Sequence, residues 1–338
     1  MTLKLQPAGA SEVQRLGSSP AAASTTETNM RLTFARAALI AAYFGIAVPF
    51  LATADGIDVL RDAETGPEAL PAAAVNYQGV WWAAPAGSQP GWGLGIAHQG
   101  DVIFAVWFTY AGRDGHPQWY SMTMNKTPDG SFAGDVIQSV QLTGPWYNMG
   151  PFSASQLLTI PRGTARLTFS SATTGTFEFV LDGNPGINAI TMQVFGELPT
   201  CVWGAQPDPT KATNYTDLWW AAPAGNEPGW GVYITQQSEV IFATWFTYPY
   251  WMSVTATKVA PNRFSGTLIR TVGPACCSPI YFPNSVTRLE AGSATFTFTD
   301  GNNGTFFYTV NVLGGGGLGI ETKSITRQVF RPPGTVCQ

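Results

Sequence analysis

The chain has 338 residues, enough for about two domains of ordinary size, and 45% of them are hydrophobic, so a sizeable core can form. Charged residues make up 11%, well below the usual share of about 25%, and 17 Lys and Arg stand against 21 Asp and Glu for a net charge of −4. This balance excludes a basic nucleic-acid-binding surface, while 37 Gly, 25 Pro and 13% aromatic residues point to short strands joined by turns.

Residues 1–29 are rich in Ser, Ala and Thr and read as a disordered upstream extension. Residues 30–54 carry Arg31 and Arg36 ahead of the apolar run Ala37 to Leu51, and then Ala52-Thr53-Ala54 as a small-x-small cleavage site. That order is the layout of a secretory signal peptide, with Met30 as a candidate initiator. A membrane anchor fits less well, because Pro49 interrupts the run and a span needs about 20 apolar residues. Membrane contact is therefore expected only through the signal peptide before cleavage, and the expected location is secreted, periplasmic or at the cell surface. Past Ala54 there are 13 Lys and Arg against 19 Asp and Glu, a net −6 with no basic cluster, so nucleic acid is not an expected partner. Residues 55–75 read as a linker.

The remainder is one unit written twice. Asn76 to Tyr110 and Asn214 to Tyr248 align without a gap, and 23 of 35 positions are identical. The match continues from Gly163 against Gly292 and ends with Gln193-Val194-Phe195 against Gln328-Val329-Phe330. Unit one is read as 76–204, a linker as 205–213, and unit two as 214–338. The second copy keeps only a stub, Pro249 to Trp251, of the segment Ala111 to Trp119 and gains a loop at Leu313 to Gly319, so these positions mark turns.

In copy one, strands are predicted at 79–84, 91–99, 102–110, 117–125, 131–139, 164–171, 174–182 and 188–196. Phe177, Phe179 and Leu181 alternate with Glu178 and Val180, the period of two of a half-buried strand. In copy two Phe296 and Phe298 alternate with Thr residues before Asp300-Gly301-Asn302-Asn303-Gly304, a hairpin turn. Val102 to Tyr110 is apolar on both parities and should be covered on both faces, by the core and by a neighbour or the partner unit. The expected fold class is all-β: two tandem antiparallel meander units, each an eight-stranded barrel that removes its own edges, with a sandwich as the alternative. One outer-membrane barrel of about sixteen strands fits the count but not the frequent Pro or the polar Thr rows.

With its WWAAPAG, PGWG and VIFATWFTY motifs, the chain resembles an uncharacterised family of exported proteobacterial proteins with tandem WW-x-P, GWG and IFATWFTY repeats. The resemblance spans residues 76 to 338 and implies no activity, substrate or cofactor. Copy one departs from the pattern at Val106, where copy two has Thr244.

Trp81, Trp82, Trp92, Trp107 and Tyr110, echoed by Trp219, Trp220, Trp230, Trp245 and Tyr248, are the most unusual feature. Neighbours on a strand point to opposite faces, so of Trp81 and Trp82 one should enter the core and the other look outward. An outward indole beside a Pro/Gly loop can stack on a sugar ring or flat apolar ligand and donate one N–H. The candidate ligand-binding residues are accordingly Trp82, Trp92, Tyr110, Trp220, Trp230 and Tyr248, against the simpler reading that these rings only pack. The Pro85-Ala86-Gly87 and Pro90-Gly91 segments read as a tight hairpin.

His98 and His116 face Gln236 and a deletion in copy two and have no His, Cys or carboxylate cluster around them, so no metal and no cofactor are expected. No Gly-x-Ser-x-Gly elbow supports a catalytic Ser. Asp101 and Glu239 are the one acidic site shared by both copies, and Glu178 and Asp135 have no acidic counterpart, so paired carboxylates of a glycosidase are not evident. Four cysteines allow three pairings; Cys337 with Cys276 or Cys277, leaving the other for Cys201, would staple the units together. The function these residues suggest is an exported, non-enzymatic module binding a glycan or apolar small molecule. The alternative is a self-associating structural or assembly protein of the cell surface, and a secreted hydrolase ranks below both.

Overall fold

A computed structural model describes residues 75–111, 115–141, 154–205, 207–248, 250–274, 283–311 and 318–338. The expected signal peptide, most of the 55–75 linker, Cys276, Cys277 and residues 313–317 of the loop inserted in copy two lie outside the described residues, while Leu318 and Gly319 of that loop begin a strand.

Copy one folds as β1 (Gly79–Ala83), β2 (Gly93–Gln99), β3 (Val102–Ala111), β4 (His116–Lys126), β5 (Phe132–Gln141), β6 (Leu157–Phe169), β7 (Thr174–Leu181) and β8 (Asn184–Met192). Each strand pairs antiparallel with the next, and β8 returns to β1 through Trp81↔Met192, Trp82↔Thr191 and Ala83↔Ile190, which closes an eight-stranded barrel. A short strand β9 (Cys201–Trp203) follows. Copy two repeats the plan with β10 (Asp217–Ala221), β11 (Gly231–Gln237), β12 (Val240–Phe246), β13 (Trp251–Ala260), β14 (Arg263–Val272), β15 (Thr287–Phe298), β16 (Asn303–Asn311) and β17 (Leu318–Arg327), and ends in β18 (Thr335–Cys337). This second eight-stranded barrel closes through β10 and β17, so the strands divide into two barrels and form neither a sandwich nor a single wide barrel.

Two strands, β6 and β8, differ from expectation by more than two residues at a boundary. β6 begins at Leu157, seven residues before the predicted start at 164, because Pro161 and the exposed Leu158 and Thr159 break the alternating pattern. Pro161 is tolerated there because it sits at a register shift opposite Val136/Ile137, where a missing N–H breaks no ladder. β8 runs over 184–192 and not 188–196, since Gln193 to Gly196 leaves the barrel to bind the other one.

Each barrel is filled by its own side chains. Trp81, Leu94, Ile96, Trp107, Met122, Leu167 and Phe177 pack inside the first, and Trp219, Val232, Trp245, Phe264, Phe296 and Phe306 inside the second. Burying one such ring or aliphatic side chain is worth roughly 1.5–3 kcal/mol. The doubly apolar β3 is covered on both faces as its sequence requires. Ile103, Ala105 and Trp107 enter the core, while Val106, Phe108 and Tyr110 join Leu218, Tyr233, Phe246 and Trp251 in a third cluster between the barrels.

That junction is close to two-fold symmetric, as the repeat predicts for two copies of one surface. Trp119 Nε1 donates to the Thr247 carbonyl at 2.6 Å, and its counterpart Trp251 donates to the Thr109 carbonyl at 2.9 Å. Gln237 Oε1 accepts from the backbone N–H groups of Phe195 and Gly196, and its counterpart Gln99 accepts from those of Phe330 and Arg331. Each barrel thus clasps the tail of the other.

The cysteine expectation needs correcting. Cys201 is bonded to Cys337, not left for Cys276 or Cys277. The two cysteines that end the copies meet because β9 and β18 pair antiparallel with Cys337 directly opposite Cys201. The bond does join the two copies.

Candidate functional site

Each barrel is packed with its own side chains, and an aromatic-lined concave surface lies between the two barrels. A cleft of about 460 Å³ runs from Trp82 and the β1–β2 loop of the first barrel to the outer faces of β12, β13 and β14 in the second. Strand alternation sets its walls. Trp81 turns into the core, so Trp82 faces outward and stays half-buried. On β12 Ala243 and Trp245 turn inward, which leaves Phe242 and Thr244 on the cleft side. Ser253 and Thr255 follow from β13 and Thr271 from β14, giving a row of hydroxyls beside the aromatic wall.

Among the buried polar atoms of the cleft that lack a hydrogen-bond partner among the described residues are the Trp82 indole Nε1, on the first barrel, and the Thr244 hydroxyl, on the second. Thr244 is only 3% exposed. An unsatisfied buried polar group costs about 1–3 kcal/mol, so each is a place where a ligand or water atom would be stabilising.

The β1–β2 loop is longer than the expected tight hairpin. It makes two successive turns, Ser88 N–H to the Pro85 carbonyl and Trp92 N–H to the Gln89 carbonyl. Gly91 has φ of +80°, and a Cβ there would overlap the Tyr110 hydroxyl, so the loop is pressed onto that ring. Tyr110 donates to the Pro90 carbonyl at 3.2 Å, and burial pushes its phenol up to about 12. Gly229 and Tyr248 repeat this arrangement in copy two.

Of the six candidate binding residues, Trp82 and Trp92 line this cleft. Trp92 does so from within the core, packed at 6.3 Å from Trp107 and 6.0 Å from Phe177, and Tyr110 lies beneath the loop as a support. They are not rings open to water: Trp92 and Trp230, each just ahead of a strand, are buried in the barrel cores, Tyr110 of β3 is buried in the junction, and Tyr248 is buried against the loop at Gly229. Trp220 is half-buried like Trp82, and its Nε1 also lacks a partner among the described residues. Trp220, Trp230 and Tyr248 sit at the equivalent positions of the second barrel, outside this cleft. Sequence reasoning missed Phe242, Ser253, Thr255, Thr271 and Arg288; the one signal was the substitution of Val106 by Thr244 between the copies.

The remaining chemical candidates have structural roles. His98 Nδ1 accepts from the Tyr77 N–H at 3.1 Å, and its Nε2 lies 3.0 Å from the Gly100 carbonyl. Gln236 does the same work in copy two, accepting from Tyr215 N–H and donating to the Ser238 carbonyl. Burial lowers His98 to about 4 from an ordinary 6.5, so the folded state resists protonation and its contribution, complete above pH 6.5, is lost as pH falls through about 4. Substituting His98→Gln is expected to leave stability at pH 7 nearly unchanged and to remove up to about 3 kcal/mol of acid destabilisation over that window. Urea titrations of both proteins from pH 7 to pH 4 check it; parallel losses would show that the histidine is not responsible.

His116 packs at 5.9 Å from Tyr250 and accepts from Arg270 at 3.3 Å. Asp101 pairs with Arg331 and Glu239 with Lys258, so the acidic site shared by both copies holds surface ion pairs. No group of three His, Cys, Asp or Glu side chains among the described residues could hold a metal ion. A second polar cluster, unforeseen from the sequence, joins Glu227, Lys323, Glu321 and Tyr308, with Lys323 Nζ 2.8 Å from Glu227 and 3.0 Å from Glu321. In copy one the neutral pair Gln89–Asn188 stands in place of Glu227 and Lys323. Comparison with protein-family models, with curated proteins and with solved structures gives no match.

Proposed function

We propose that the mature chain is an exported, non-enzymatic binding module that holds a small ring-bearing molecule, such as a glycan unit, in the cleft between its barrels. The observation that carries this reading is the meeting, in one cleft, of the half-buried Trp82 ring of the first barrel with buried polar atoms that lack a partner among the described residues, including its own Nε1 and the Thr244 hydroxyl of the second barrel. A ring face needs an aromatic surface to stack on and its substituents need hydrogen-bond partners, and this cleft offers both. The Cys201–Cys337 bond fits an oxidising compartment, in keeping with export. Among the described residues along the cleft no acid neighbours a base and no nucleophile neighbours a base, which favours binding over catalysis. Self-association was attractive because one face of β3 needed a cover; the second barrel of the same chain supplies it.

The test is ligand-induced quenching of tryptophan fluorescence across a panel of oligosaccharides and ring-bearing hydrophobes. Trp82→Ala is expected to weaken any binding by about tenfold or more, the usual scale for a central aromatic contact. A panel that leaves the emission unchanged, or binding that Trp82→Ala does not alter, overturns the proposal.

A further inference from the structure

We infer that the molecule held in the cleft carries a carboxylate next to its ring, and that Arg288 receives it. This rests on the cleft being the binding site and adds the charge of what it binds. The chain is acidic overall, with a net charge of −4. Yet the cleft is lined by one charged residue, the cation Arg288, and by no carboxylate among the described residues. Glu290, two residues further along β15, lies outside the lining.

Arg288 is placed by the sheet. It stands opposite Thr271 in the β14–β15 ladder, at the end of the hydroxyl row, and is exposed at the rim while Thr271 is buried. The repeat makes the residue specific to this cleft, because in copy one the register opposite Ser139 puts the neutral Thr159 at the equivalent place.

The three features define a ligand. The Trp82 face takes a ring, Thr244 and its neighbouring hydroxyls take polar substituents, and a planar guanidinium takes a carboxylate through two parallel N–H donors. A uronic acid residue and an aromatic monocarboxylate share that chemistry.

The experiment uses equilibrium titration of the mature protein in two arms, trigalacturonate against its methyl ester and benzoate against methyl benzoate. Each pair keeps the ring and removes the charge. At least one acid is expected to bind about tenfold more tightly than its ester, with the preference falling as salt rises. Arg288→Gln should abolish the preference and Arg288→Lys retain part of it; the side chain is at the exposed rim, so neither change threatens folding. The arm that shows the preference identifies the source of the carboxylate. Equal binding of acid and ester, unaffected by Arg288→Gln but lost in Trp82→Ala, overturns the carboxylate inference while the cleft stands. No binding in either arm, by acid or ester, overturns the inference outright, and the wider neutral panel then decides the cleft.

Discussion

Replacing Asp217 by Ala is expected to destabilise the protein by about 3–5 kcal/mol, the cost of leaving a buried guanidinium without its counter-ion. Asp217 and Arg327 are 1% and 3% exposed, and their Oδ2 and Nη1 atoms lie 2.9 Å apart. Arg327 also donates to the carbonyls of Asn214, Thr216 and Gly301 and covers the Trp219 ring at 5.0 Å. Burial raises the Asp217 carboxyl to about 6, against the opposing pull of Arg327. An ion pair of this kind can be replaced as a whole at little cost. Copy one demonstrates the replacement, with Gly79 and Met192 at the two positions. The double variant Asp217→Gly with Arg327→Met is therefore expected to recover most of the loss. Urea unfolding of the unaltered protein and the two variants decides the matter; a loss below about 1 kcal/mol in Asp217→Ala would mean that Arg327 finds other compensation.

Gly95→Val should cost about 3–4 kcal/mol by forcing the barrels apart. Tyr233 is fully buried, its hydroxyl donates to the Ile96 carbonyl at 2.5 Å, and a Cβ on Gly95 would sit 2.7 Å from its ring. A strand side chain there must displace the ring and strand a buried carbonyl. Gly95 and Tyr233 are counterparts in the repeat, so the junction holds one tyrosine over one bare backbone and has no room for two. The near two-fold symmetry makes a sharper prediction: exchanging the pair, Gly95→Tyr with Tyr233→Gly, should restore at least half of the stability lost in Gly95→Val. Denaturation curves measure both, and the loosened variant should unfold in two steps as the barrels uncouple. If the exchange is as damaging as the single change, the junction is not symmetric at this point.

The architecture was legible because the repeat and the strand periods agree. Trp81 inward with Trp82 outward, and β3 covered twice, follow from alternation and apolar content alone. The start of β6 was hidden because a bulge at Pro161 breaks the alternation that reveals a strand. The tail after β8 reads as strand because Val194 and Phe195 look like one, whereas its backbone is held by Gln237, 42 residues away for Phe195. Pairing of Cys201 with Cys337 depends on the register of β9 against β18, across 136 residues, and no local pattern encodes that. The cleft was only half legible. Trp82 and Trp92 could be named from their motifs, but Thr271 and Arg288 come from strands whose sequences are merely polar-alternating. Only the docking of one barrel on the other brings them opposite Trp82.

The central claim is that the inter-barrel wall around Trp82 receives a ligand, and the indole N–H region of a ¹H–¹⁵N correlation spectrum tests it most directly. The chain has 12 tryptophans, and the Trp82 signal is assigned by its loss in Trp82→Phe. On titration with the best binder of the panel, that signal is expected to move first and furthest, as its free N–H gains an acceptor, while those of Trp81 and Trp219 in the barrel cores stay in place. A saturable ligand that shifts other indoles and leaves Trp82 unmoved would contradict the account.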